Sequence, residues 1–220
     1  MRKSSRLLSA VLFIMIAVSS FSGCSKGNGD ISSASSSTGK KRQSALQILN
    51  PQASGSVVYG NEIISIDASN TGEGYVMVQY GGSASKVKLQ ITIPDGTVYT
   101  YTLGGGSYET FPLTGGNGSY HLDILENVRD DLYALAFSQD IEVNISDEFK
   151  PFLYPNQYVW FTEDSQAVKL GREISDKSSD DLSYVQNVYH YVIENIVYDD
   201  KKAENIPTDY LPNLDQTLTD

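Results

Sequence analysis

The chain has 220 residues, with 16 Lys and Arg against 27 Asp and Glu, a formal net charge of −11, and one cysteine, Cys24. That acidity argues against nucleic acid as a partner and against charge-driven docking on anionic lipid. A single cysteine leaves no disulfide within the chain, and the length allows one domain and part of a second.

Residues 1–23 read as an export signal. Arg2, Lys3 and Arg6 form a basic start, and Leu7 to Val18 is an apolar run too short for a good membrane span. Phe21-Ser22-Gly23-Cys24 resembles the lipobox of bacterial lipoproteins, in which the cysteine is acylated and becomes the new N-terminus; Phe21 departs from the usual Leu. The resemblance implies a protein exported and lipid-anchored through Cys24 at the outer face of the cell membrane, with the membrane as a partner through that lipid. Acyl chains each add about 0.8 kcal/mol per buried CH₂, so more than one chain makes a durable anchor. Removing the signal takes away three positive charges and no negative ones, which turns −11 into −14. With Cys24 used for lipid, no cysteine nucleophile remains.

Residues 24–55 are rich in Ser, Gly and Lys and read as a flexible tether with a reach on the order of 30 Å. Over 56–147 the hydrophobic period is two. Val87, Leu89, Ile91 and Ile93 alternate with polar residues, Pro94-Asp95-Gly96 supplies a turn, and Tyr99, Tyr101 and Leu103 alternate with threonines on the returning strand. Further strands are read at Ile64 to Ile66, Tyr75 to Tyr80, Tyr120 to Ile124, Tyr133 to Phe137 and Ile141 to Ile145. About seven short strands with regular turn signals predict an antiparallel β-sandwich of immunoglobulin-like type.

Residues 148–162 form an apolar connector stiffened by Pro151 and Pro155, and Trp160, the only tryptophan, is expected to be buried there. Over 163–220, Ser165 is expected to cap a short helix carrying Ala167, Leu170 and Ile174. Ser179 is expected to cap a second, amphipathic helix with Leu182, Val185, Tyr189, Val192, Ile193 and Ile196 on one side. The overall class is therefore mostly β plus α, a sandwich followed by the helical start of an α+β domain.

VYHYVIENIVYDDKKA followed by DYLPNLDQTL closely resembles the opening of the transglutaminase-like, papain-like domain of bacterial surface lipoproteins. FKPFLYPNQYVWF and YETFPL…GNGSY…LENV resemble the domain that precedes it. The resemblance implies a Cys-His-Asp enzyme that hydrolyses or transfers amides on a protein or cell-wall substrate through a thioester, with no cofactor. The family's Gly-x-Cys-aromatic motif comes after the stretch matched by DYLPNLDQTL, and its His and Asp come later still. No residue of this chain matches a catalytic position, so the chain alone is expected to be inactive. The alternative is a non-catalytic surface lipoprotein whose sandwich binds a cell-wall or host ligand. The apolar side of the second helix finds little downstream to cover it, which suggests self-association.

His190 falls among polar residues and reads as a surface histidine. His121 shares a strand face with Asp123, a wet-face pair or half of a metal site; two ligands rarely hold zinc. Asp130-Asp131, Asp180-Asp181 and Asp199-Asp200 lack the alternating oxygen spacing of a calcium loop, and no metal site is assigned. Asp180-Asp181 reads as a helix start and Asp199-Asp200 as a solvated patch. Tyr75, Tyr99, Tyr101, Tyr108 and Tyr120 are the candidates for an exposed aromatic binding face.

Overall fold

The computed structural model describes residues 47–207 and 210–218. Eight strands form two antiparallel four-stranded sheets: β1 (Val58–Gly60), β2 (Ile64–Asp67), β3 (Tyr75–Tyr80), β4 (Val87–Thr92), β5 (Val98–Leu103), β6 (Glu109–Pro112), β7 (Gly118–Arg129) and β8 (Leu132–Val143). One sheet has the order β1-β2-β3-β6 and the other β5-β4-β7-β8. Alternation works as expected in β4, where Val87, Leu89 and Ile91 are buried and Lys88, Gln90 and Thr92 are not. These residues join Ile64, Ile66, Val76, Val78, Phe111, Leu113, Leu122 and Ile124 in one core between the sheets.

The strand count differs from the expected seven for two reasons. Tyr133 to Phe137 and Ile141 onward are not separate strands, because β8 runs unbroken opposite β7 over 12 residues and absorbs its irregularities as register shifts. The short β1 and β6 add two strands that no alternation in the sequence marks. β6 has four residues ending in Pro112, and Thr110 and Phe111 are both buried, so no alternation marks it. Tyr120, at the start of β7, is fully buried and donates its hydroxyl hydrogen to the Gly116 carbonyl at 2.9 Å.

The outer face of the first sheet is also covered. Asp67, Tyr75, Met77 and Thr110 all point away from the shared core yet are buried. The backbone N–H groups of Gly55 and Ser69 donate to the Asp67 carboxylate, and that of Gln52 to the Tyr75 hydroxyl. The connector covers the rest, but with polar and tyrosine groups. Tyr154 packs on Tyr75 at 4.6 Å between ring centroids and donates to Glu73, which also pairs with Lys150 at 2.5 Å. Pro151 is buried. Gln157 donates to the Thr102 carbonyl on β5 and to Glu109 on β6, the edge strands of the two sheets. The sandwich's open side is therefore bridged by one side chain, a way of protecting exposed strand edges. Trp160, contrary to expectation, is 52% exposed, because the Tyr154 and Gln157 contacts leave its ring outside.

Four helices follow: α1 (Gln166–Asp176), α2 (Asp181–Asn195), α3 (Asp200–Glu204) and α4 (Leu214–Thr217). Ser165 occupies the N-cap position of α1, but its hydroxyl accepts from Thr162 N–H rather than from the helix. The first-turn N–H of Ala167 is met instead by the Asp215 carboxylate of α4 at 3.1 Å. The cap of α2 is Asp180, not Ser179. Its carboxylate accepts from Ser183 N–H at 2.7 Å while the Ser183 hydroxyl accepts from Asp180 N–H, a reciprocal capping box. Among the described residues, no helix is long and apolar enough to cross a membrane.

Candidate functional site

The helical segment carries a row of exposed large apolar side chains. α2 presents two stripes. Tyr184, Val188 and Tyr191, at i, i+4 and i+7, are half-buried. Asn187 donates to the Ser178 hydroxyl in the α1–α2 turn, which fixes the rotation of the helix. That rotation turns the other stripe outward: Leu182 is 70% exposed, Val185 63%, Tyr189 62% and Ile193 56%. Val197 and Tyr198 continue the exposure past the helix end. Beside them lies an open, largely apolar hollow of about 510 Å³, lined by Ile196, Val197, Tyr198, Ile206, Tyr210 and Leu218. Four large apolar side chains in one row are more than the singly scattered apolar residues normal on a protein surface.

The histidines lie elsewhere in role. His190 sits on the exposed side of α2, half-exposed and 3.9 Å from Glu194, as a surface histidine should. His121 lies on the wet face of β7 with Asp123 at 3.2 Å, and the register of β8 adds two partners. Asp140 stands directly opposite and takes the Nδ1 hydrogen bond at 2.5 Å; Ser138 Oγ lies 3.1 Å from Nε2. The order Ser138, His121, Asp140 is that of a nucleophile, a base and its orienting carboxylate, but the protons are placed otherwise. Ser138 donates its hydroxyl hydrogen to Asp123 at 2.7 Å. The Asp140 hydrogen bond, helped by the charges of Asp123 and Asp140, holds the imidazole above its ordinary pKa. With the Ser138 hydroxyl hydrogen given to Asp123 and the ring bonded to Asp140, the cluster is a hydrogen-bonded clasp between two strands.

The acidic pairs are accounted for locally. Asp180 caps α2, and Asp181 lies in its first turn. Asp199 is more than a solvated patch, since its carboxylate accepts from Lys202 N–H and caps α3. Asp130 takes a positive φ of 48° in the β7–β8 turn, where Asn127 bonds its carbonyl. Among the described residues no group of three or more His, Cys, Asp and Glu side chains is arranged to hold a metal ion. Cys24 lies outside the described residues.

The tyrosine face does not form. Tyr75, Tyr101 and Tyr120 are buried, and burial pushes the Tyr101 hydroxyl up to about 12. Tyr108 is half-buried, bonded to Ser65 at 2.7 Å, and only Tyr99 is exposed. What sequence reasoning missed is a small cavity of about 300 Å³ where Tyr108, Glu109 and Thr110 of the β6 edge meet Gln157 and Trp160 of the connector and Pro212. The half-exposed Trp160 belongs to its wall. No known protein family, curated protein or solved structure matches the chain.

Proposed function

We propose that this chain is the N-terminal portion of a lipid-anchored transglutaminase-like protein of the bacterial cell surface. In this reading the sandwich is a rigid spacer, and α1 to α4 begin the catalytic domain. Cys24 carries the lipid, and residues 24–55 lift the spacer off the membrane. The observation that carries the proposal is the outward row Leu182, Val185, Tyr189 and Ile193 on a helix with a complete capping box. Helix starts held this firmly while leaving an apolar face uncovered suit a segment on which the remainder of a domain packs.

An immunoglobulin-like class for the spacer is supported by two features. β2, β3 and β6 take the places of strands A, B and E, while β5, β4, β7 and β8 take those of C′, C, F and G. The Tyr120 hydroxyl bond to the carbonyl four residues upstream, at the start of the F-like strand, has the form of a tyrosine corner.

The chemistry of the intact family is thiolate attack on an amide carbonyl, with hydrolysis or transfer of the acyl group. His190, half-exposed and beside Glu194, has no part in it, so the chain alone releases no ammonia from glutamine-containing peptides. The deciding experiment is to read the coding sequence past the Asp220 codon. An open frame reaching Gly-x-Cys-aromatic, then a His and an Asp, is the expected result. An in-frame stop overturns the enzymatic reading.

A further inference from the structure

We propose that the cavity between β6, the connector and Pro212 binds a neutral polyhydroxylated ring, one sugar residue of a glycan, stacked on Trp160 and hydrogen-bonded to Gln157 and Thr110. The proposal does not rest on the catalytic reading, because its polar groups come from the sandwich edge and the connector, and only Leu211 and Pro212 of the wall belong to the helical segment. At about 300 Å³ the cavity has the size of the smallest ligand sites, which run from about 300 to 1,000 Å³.

The polar groups decide the class of ligand. Two buried side-chain atoms have no hydrogen-bond partner, Thr110 Oγ1 and Gln157 Oε1, and both residues line the cavity. Buried polar atoms are nearly always paired, so two orphans on residues that line one cavity point to a partner from outside the chain. Glu109 does not set the charge of that ligand. Its carboxylate already receives Gly104 N–H at 2.7 Å and the Gln157 amide at 2.8 Å. What is left unspent is neutral, an amide oxygen that accepts and a hydroxyl that does either, and hydroxyl groups match both. Both oxygens are closed off from solvent as they stand, so binding requires each side chain to turn, and Gln157 exchanges its bonds to Thr102 and Glu109 for bonds to the ring. The net charge of −11 further disfavours anionic ligands. The Trp160 indole, 52% exposed on the wall, offers a flat apolar face to the C–H side of a sugar.

Because Trp160 is the only tryptophan, its fluorescence reports on the surroundings of this one side chain, and the Thr110→Val variant ties a response to this cavity. The full chain is titrated with N,N′-diacetylchitobiose, with methyl β-D-glucopyranoside and, as a cationic control, with tetramethylammonium chloride. A saturable shift of Trp160 emission is expected with at least one sugar, with Kd in the millimolar range, and none with the cation. Thr110→Val, which removes the orphaned hydroxyl at nearly constant volume, should weaken binding at least fivefold while leaving the urea midpoint unchanged or higher. Three results overturn the site: no saturable response to either sugar at tens of millimolar, a response to the cation, or sugar binding undiminished in Thr110→Val. Should Thr110→Val fail to fold, Trp160→Ala is followed by saturation-transfer NMR on the sugar protons, and undiminished transfer overturns it equally.

Discussion

Tyr120 buries its whole ring in the core and still finds an acceptor, the Gly116 carbonyl in the loop entering β7. Gly116 is exposed, so removing that hydroxyl forfeits one hydrogen bond without burying an orphaned carbonyl, a loss of about 0.5–1.5 kcal/mol. Tyr120→Phe should therefore lower the urea midpoint with an unchanged denaturant slope, and an unaltered midpoint would show that this hydrogen bond adds nothing. His121 makes a prediction of the opposite kind, on the wet face. Its folded pKa is raised above 6.5, chiefly by the Asp140 hydrogen bond. The stability it contributes is thus fully present below the unfolded pKa and lost as pH rises through the folded one. The ring is 44% exposed, so solvent screening limits the effect to less than about 1 kcal/mol. Unfolding measured on both sides of that window should show wild type losing stability with rising pH more steeply than Asp140→Asn. Parallel curves for the two proteins would remove the clasp from the account. Half of this cluster was legible, because Asp123 lies two residues from His121 on one strand. Asp140 and Ser138 were not, since they arrive only through the β7–β8 register.

At the scale of elements, period-two alternation exposed β4, the second half of β5 and the start of β7, whose inner faces are buried and outer faces wet, while Tyr99 at the start of β5 stays exposed. It failed at β6, where the connector buries the outer residue Thr110 as thoroughly as the core buries Phe111. The helix starts show a finer limit. Ser179 and Asp180 are both good cap residues, and the choice fell to Asp180 because Ser183, three residues on, completes the reciprocal pair. At α1 the expected Ser165 cap is replaced by Asp215, a partner 48 residues away that no local pattern announces. Trp160 was misplaced for a related reason: apolarity argued for burial, but the anchoring contacts of the connector are those of Tyr154 and Gln157. The capping box allows a direct test. Asp180→Ala should cost α2 about 0.5–2 kcal/mol, seen as faster amide exchange from Tyr184 to Asn195 with the exchange of β4 and β7 unchanged. Equal acceleration in the strands would mean that helix and sandwich unfold as one unit.

Across the whole molecule the two parts are held by different means. The sandwich has a continuous core from both sheets, closed at its edge by Gln157. The helical segment relies on α1–α2 packing, the Asp215 bond and the α2 cap, and Val168 is its one apolar side chain in the fully buried class among the described residues. Local opening is easiest where few apolar contacts must break, so α2 should exchange its amides at least about tenfold faster than β4 and β7. The same deficit gives the exposed row Leu182, Val185, Tyr189 and Ile193 a reason to pair with another copy when nothing else covers it. Sedimentation should then show association that grows with protein concentration, and the pair Val185→Lys and Ile193→Lys should abolish it without moving the melting of the sandwich. Such a result would mark this face as the surface through which the segment completes its fold. Uniform strong protection from Leu182 to Asn195 in a chain that sediments as a monomer at every concentration would instead make the helical segment self-sufficient, and the exposed row would need no partner.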